Sequence, residues 1–125
     1  MKKIETDQAP QPIGPYVQAL VHNGLLFASG QLGIDPATGE LADGPASAQA
    51  VQVLANLAAV LEAAGTSRDQ VLKTTIFLKD MNDFGSVNAV YAEFFGDHKP
   101  ARSTIQVARL PKDALVEIEL TAAVQ

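Results

Sequence analysis

The chain has no cysteine and no tryptophan among its 125 residues. Without cysteine there is no disulfide framework, no thiolate nucleophile and no thiolate metal site. That composition fits a reducing cytoplasm, which is the expected location. Basic residues are also scarce, nine Lys and Arg against fourteen Asp and Glu, for a net charge of −5. Such a chain lacks the cationic stripe that neutralises phosphates, so no nucleic-acid partner is expected. His22 and His98 are the only histidines, and neither has the spacing to a second His or carboxylate that zinc requires, so no metal is expected. No Gly-x-Ser-x-Gly elbow or glycine-rich phosphate loop occurs. Uninterrupted apolar runs are missing too. The longest candidate contains Gln49, Gln52 and Asn56, and Met1-Lys2-Lys3 is followed by Glu5, Thr6, Asp7 and Gln8. Neither a membrane span nor a signal segment is expected.

What is present describes one ordinary folded domain over residues 1–125, with 47% apolar and 18% charged residues. Pro10, Pro12, Gly14 and Pro15 make residues 7–15 an irregular lead-in. Tyr16–His22 and Leu25–Ser29 read as strands around Asn23-Gly24, a dipeptide suited to a tight hairpin because both residues tolerate positive φ. Asp35-Pro36-Ala37-Thr38-Gly39 reads as a second turn. Between them, Ser29-Gly30-Gln31-Leu32-Gly33 places two glycines at a strand end, as a bulge or as a point of close backbone approach.

Val51, Leu54, Leu57, Ala58 and Leu61 recur at helical spacing, widened by Val53 and Val60, and predict a helix over 47–64. Ser47 is its predicted N-cap and Gly65 its stop. Val71–Lys79 predicts a strand. Phe84 to Phe95 predicts a second helix with Val87, Val90, Tyr91 and Phe94 inside, capped by Asn82 or Asp83. The order is β-β-(turn or strand)-α-β-α-β-β, an α+β domain with a mixed sheet. Two helices cover only one face of such a sheet, which leaves the other for solvent or for partners.

The last quarter holds the candidate chemistry. Arg102, Thr104 and Gln106 alternate with Ser103, Ile105 and Val107. Val116, Ile118, Leu120, Ala122 and Val124 alternate with Glu117, Glu119 and Thr121. Period two makes both segments half-buried strands. Arginine suits bidentate carboxylate recognition, and a partly buried glutamate can trade protons near neutrality. Tyr16, Asn88 and the Gly30 backbone are possible helpers. Lys73 is of the type that forms Schiff bases when desolvated, against the plainer reading of a solvated or edge-strand lysine. If Leu110–Asp113 closed a simple hairpin, Arg102 would oppose Thr121 and Glu117 would lie about 13 Å further along. Convergence of Arg102 and Glu117 therefore needs another strand order, a neighbouring subunit, or Glu119 instead.

Several short motifs stand in a fixed order along the chain: Ile13-Gly14-Pro15-Tyr16, Ser29-Gly30-Gln31, Lys73 to Asp80, Asn82-Asp83-Phe84, Val87-Asn88 and Pro100-Ala101-Arg102-Ser103. They continue through Val107 to Lys112 and Glu117-Ile118-Glu119. With these motifs the chain resembles the Rid (YjgF) family, specifically its RidA-type 2-iminobutanoate/2-iminopropanoate deaminases. The resemblance implies a chorismate-mutase-like domain, a homotrimer with helices outside, a final strand inserted into the sheet, and clefts between subunits. It also implies hydrolysis of 2-imino acids, released by pyridoxal-phosphate enzymes, to 2-oxo acids and ammonia, without a cofactor. Carried over by position, Arg102 binds the substrate carboxylate and Glu117 positions and activates water. Tyr16, Ser29, Gly30 and Asn88 line the cleft, with Thr104 beside the substrate through its backbone N–H. Thr104 stands where the family usually has cysteine. A non-catalytic trimer that binds 2-oxo acids is the alternative function, and a ribonuclease or translation inhibitor is a third.

Overall fold

The computed structural model describes residues 1–125. Its strands are β1 (Lys2–Ile4), β2 (Ala19–His22), β3 (Leu25–Leu32), β4 (Val71–Leu78), β5 (Ala101–Gln106) and β6 (Val116–Ala123). The helices are α1 (Ala46–Ala63) and α2 (Phe84–Phe95). One six-stranded sheet runs β1-β2-β3-β6-β4-β5. Only β4 and β5 are parallel, joined by the α2 crossover; the other neighbours are antiparallel.

The Asn23-Gly24 hairpin forms as its chemistry requires, with φ of 51° and 78° at the two residues. β2 starts later than predicted and β3 runs three residues longer, through a bulge between Ala28 and Gln31. β1 was not foreseen: three residues offer too short a pattern, and only pairing with β2 defines it.

α1 buries Val53, Leu54, Leu57, Val60 and Leu61 against the sheet and α2. Val51, expected inside, is 58% exposed. Asn56 and Gln49 are buried instead, because Asn56 Nδ2 donates to the Leu32 and Ile34 carbonyls and Gln49 Oε1 accepts from Leu115 N–H. Those amides satisfy loop backbone that would otherwise be orphaned. By length and composition α1 could cross a membrane; here it is the core helix. Pro45, not Ser47, occupies its N-cap position, and its carbonyl accepts from Ala48 and Gln49. Gly65 ends it at φ 77°, with Gly65 N–H bonded to Glu62 and Thr66 N–H to Leu61. This is a Schellman stop. Asp83 takes the N-cap position of α2 without a side-chain bond, while Asp80 accepts from Asn82 N–H in the preceding turn.

Both helices lie on one face, over Ile76, Leu78, Val116, Ile118, Leu120 and Ala122. The other face carries Lys73, Thr75, Glu119 and Thr121, with Phe27 and Ile105 about half exposed. At one end of that face Leu32, Ile34, Leu110 and Ala114 form a second small core with Phe77 and Val107. The expected α+β class and one-sided helix layer are therefore present. The simple β5–β6 hairpin is not, because β6 inserts between β3 and β4.

Candidate functional site

Glu117 sits on β6 between two buried residues, Val116 and Ile118, so its side chain emerges from the face opposite the helices. On β3 the bulge brings Ser29 and Gly30 beside it. A Cβ on Gly30 would lie 2.6 Å from Glu117 Oε2, so the carboxylate rests against a backbone that only glycine leaves open. Ser29 Oγ donates to the Val17 carbonyl at 2.6 Å, which fixes the bulge to the lead-in. Tyr16, Gln31 and Pro111 complete the walls of a cleft of about 370 Å³. Burial pushes the Glu117 carboxyl above the usual glutamate range, and the like charge of Glu119 adds to the effect.

Arg102 belongs to a different surface. Parallel pairing sets it beside Thr74 on β4, on the helix side of the sheet. Its Nη1 donates to Asn88 Oδ1 on α2 at 2.7 Å. Its guanidinium carbon lies 4.9 Å from the Tyr91 ring centroid and 5.6 Å from that of Phe84. Tyr91 is held by a 2.7 Å hydrogen bond with Thr74 Oγ1. Burial raises the Tyr91 pKa, and the hydrogen bond and the Arg102 charge offset part of that rise. Thus Asn88 and two rings orient the guanidinium without neutralising it. A cleft of about 400 Å³ between α2 and β5 is lined by Asn88, Tyr91, His98, Lys99 and Arg102.

The predicted residues therefore form two groups. Tyr16, Ser29, Gly30 and Glu117 meet in one cleft, Asn88 and Arg102 in the other. Arg102 and Glu117 lie two strands apart and three residues out of register, on the order of 14 Å between Cα atoms, and on opposite faces. The ion pairs are Lys3–Glu5 and Arg109–Asp113, so neither Arg102 nor Glu117 has a charged partner within its own chain. Glu119 shares the face of Glu117 but is exposed beside Thr75. Thr104 shares the face of Arg102; its Oγ1 is buried without a hydrogen-bond partner.

Lys73 Nζ donates to Ser103 Oγ at 3.2 Å on an exposed surface, which favours the solvated reading. No three His, Asp or Glu side chains come together as a metal cluster, and His98 Nε2 donates to the Val71 carbonyl. Sequence reasoning missed Gln18 and Pro111. Gln18 falls in the expected Tyr16–His22 strand, where its place in the alternation reads as solvated, but it lies just before β2; Pro111 reads only as loop.

The family model described as Endoribonuclease L-PSP matches residues 6–124. A RutC family protein of Pyrococcus horikoshii is 56% identical over 95% of this chain and 94% of its own. The 2-iminobutanoate/2-iminopropanoate deaminase of Salmonella typhimurium is 50% identical over 97% of this chain and 96% of its own. Among solved structures, Escherichia coli TdcF with bound serine superposes with a TM-score of 0.95 at 44% identity, covering 100% of both chains. The Escherichia coli YjgF gene product gives 0.95 at 47%, again over 100% of both. On sequence and fold together, the chain belongs to the Endoribonuclease L-PSP family, the Rid (YjgF) family that its motifs resemble.

Proposed function

We propose that this protein hydrolyses small 2-imino acids, of the 2-iminobutanoate and 2-iminopropanoate kind, to 2-oxo acids and ammonia. It does so in the cytoplasm, without a cofactor, in clefts between the subunits of a homotrimer. The observation that carries this reading is the division of the site. An oriented guanidinium without a carboxylate occupies one face, and a proton-affine carboxylate without a cation occupies the other. Within one chain they cannot meet. A second copy that sets its Arg102 cleft against the Glu117 cleft of the first joins a carboxylate clamp to a water-activating group. Deaminases named among the relatives and serine bound to TdcF agree in ligand class: small molecules with an α-carboxylate.

In this arrangement Arg102 holds the substrate carboxylate through its planar fork and fixes the imine carbon for attack. Glu117 takes a proton from water as the oxygen bonds to that carbon and delivers it to the imine nitrogen, which gives a neutral carbinolamine and restores the carboxylate. The carbinolamine then passes its hydroxyl proton, by way of the same carboxylate, to nitrogen. The C–N bond breaks, leaving a 2-oxo acid and ammonia. Burial and the neighbouring Glu119 charge raise the proton affinity of Glu117, which suits it to take the proton from water.

The test generates the imine in situ with a threonine dehydratase and threonine, then follows its disappearance with and without the pure protein. Faster loss with the protein, abolished in Arg102→Ala, is expected. Binding of 2-oxobutanoate without any acceleration would instead leave a non-catalytic carboxylate-binding protein.

A further inference from the structure

We infer that Gln18 is the positioning residue of this site: its carboxamide closes the loop that carries Tyr16, and its backbone carbonyl joins that loop to the bulge beneath Glu117. The inference rests on the imine-hydrolysis reading of the Glu117 cleft. Residues 6–17 lie outside any helix or strand. Their tip is loosely held: Ile13 is 70% and Tyr16 48% exposed. Tyr16 bonds only within the loop, its N–H to the Gly14 carbonyl at 2.9 Å and its hydroxyl from Ile13 N–H at 3.4 Å. The tip therefore takes its direction from the two feet of the loop.

Both feet meet at Gln18. Its Oε1 accepts from Thr6 N–H at 2.7 Å, and its Nε2 donates to the carbonyls of Thr6, Ala9 and Pro10 at 3.0, 3.3 and 2.9 Å. Two N–H groups shared among three carbonyls leave no capacity spare. The Gln18 carbonyl accepts from Ser29 N–H at 3.0 Å, one residue before Gly30. One residue thus ties the first foot (residues 6–10) to the second and to the bulge on which Glu117 rests. Gln18 is only 2% exposed. A buried amide is tolerated at such a place because every polar atom is satisfied, and an apolar residue would orphan the backbone groups it serves. No other side chain in the loop reaches both feet, so the angle of Tyr16 over Glu117 is set by Gln18.

The test combines Gln18→Met, which keeps the volume and removes the amide, with Tyr16→Ala in a double-mutant cycle. Backbone hydrogen exchange is measured on the same proteins. Gln18→Met is expected to speed exchange at Thr6, Ile13 and Tyr16 and to lower kcat/KM on the order of tenfold, while β3 and β6 amides stay protected. In a Tyr16→Ala background the same change should cost no more than about twofold further, because the loop then has nothing left to position. Thr6→Pro removes the same hydrogen bond from a partly exposed site and must reproduce the effect should Gln18→Met fold poorly. Fully additive losses, or loop exchange at wild-type rates, would overturn the assignment. Wild-type protein without turnover would sink the imine reading instead, and the exchange data would still decide whether Gln18 holds the loop.

Discussion

Arg102 and Glu117 point to opposite faces of the same sheet. Arg102 lies beside Thr74 toward α2, and Glu117 lies beside Phe77 on the side without helices. Each is well placed by its own surroundings and useless to the other inside one chain. The predictions that follow test each half separately and then together.

Arg102 is held by Asn88 and by two aromatic rings, a setting that orients a plane as well as a charge. Arg102→Lys keeps the charge and loses the fork. It should recover little of the imine hydrolysis lost in Arg102→Ala, with both variants as stable as the wild type, since the residue is exposed. Steady-state kinetics beside thermal denaturation separates the effects. Near-normal activity in the lysine variant would show that charge alone suffices.

Glu117→Gln keeps shape and removes proton exchange, so kcat should fall by at least about 10²-fold while 2-oxobutanoate still binds. Glu119→Gln should retain activity. Because Glu119 contributes to the raised Glu117 pKa, its removal should shift the acid limb of the rate profile to lower pH. A silent Glu117 with a large loss at Glu119 would reverse the assignment of the carboxylate.

The same pKa has a signature in stability. A carboxyl raised on folding binds its proton more tightly in the native state than in the unfolded one. Stability is therefore lost as pH rises from the unfolded pKa through the folded one. Glu117→Gln should be more stable than the wild type near neutrality, and the difference should vanish below the ordinary glutamate range. Denaturation across pH reads this directly. A gain independent of pH would point to a steric cause.

Gly30→Ala places a methyl group where the Glu117 carboxylate rests, 2.6 Å from Oε2. The carboxylate is the end of a flexible side chain and can swing away, so stability should change little while hydrolysis falls roughly as in Glu117→Gln. Loss of folding instead would mean that the backbone, and not the carboxylate, fills that space.

Much of this was legible in the sequence, and the gaps have physical causes. Asn23-Gly24 announced its hairpin because positive φ is a property of those residues themselves. The helical periodicity of Phe84–Phe95 matched α2 at both ends. Period two told which residues of β5 and β6 share a face, but not which strand lies next to which. That depends on packing across the whole chain, so the insertion of β6 beside β4 was invisible to local pattern. Arg102 reads as a polar residue on an edge strand, and nothing in its neighbours in sequence says that α2 will meet it. Gln18 was the deepest miss. A buried glutamine looks like a solvated one until the loop it serves is in view.

The central claim is that each site joins Glu117 of one copy to Arg102 of another, and subunit mixing tests it most directly. Arg102→Ala and Glu117→Gln are each purified as inactive chains, unfolded together in equal amounts, refolded and assayed for imine hydrolysis. Random assembly should give about one cleft in four with both native halves, and hydrolysis should return to about that share of the wild-type rate. A mixture no more active than its separate components would place both groups in a site within one chain and contradict the account.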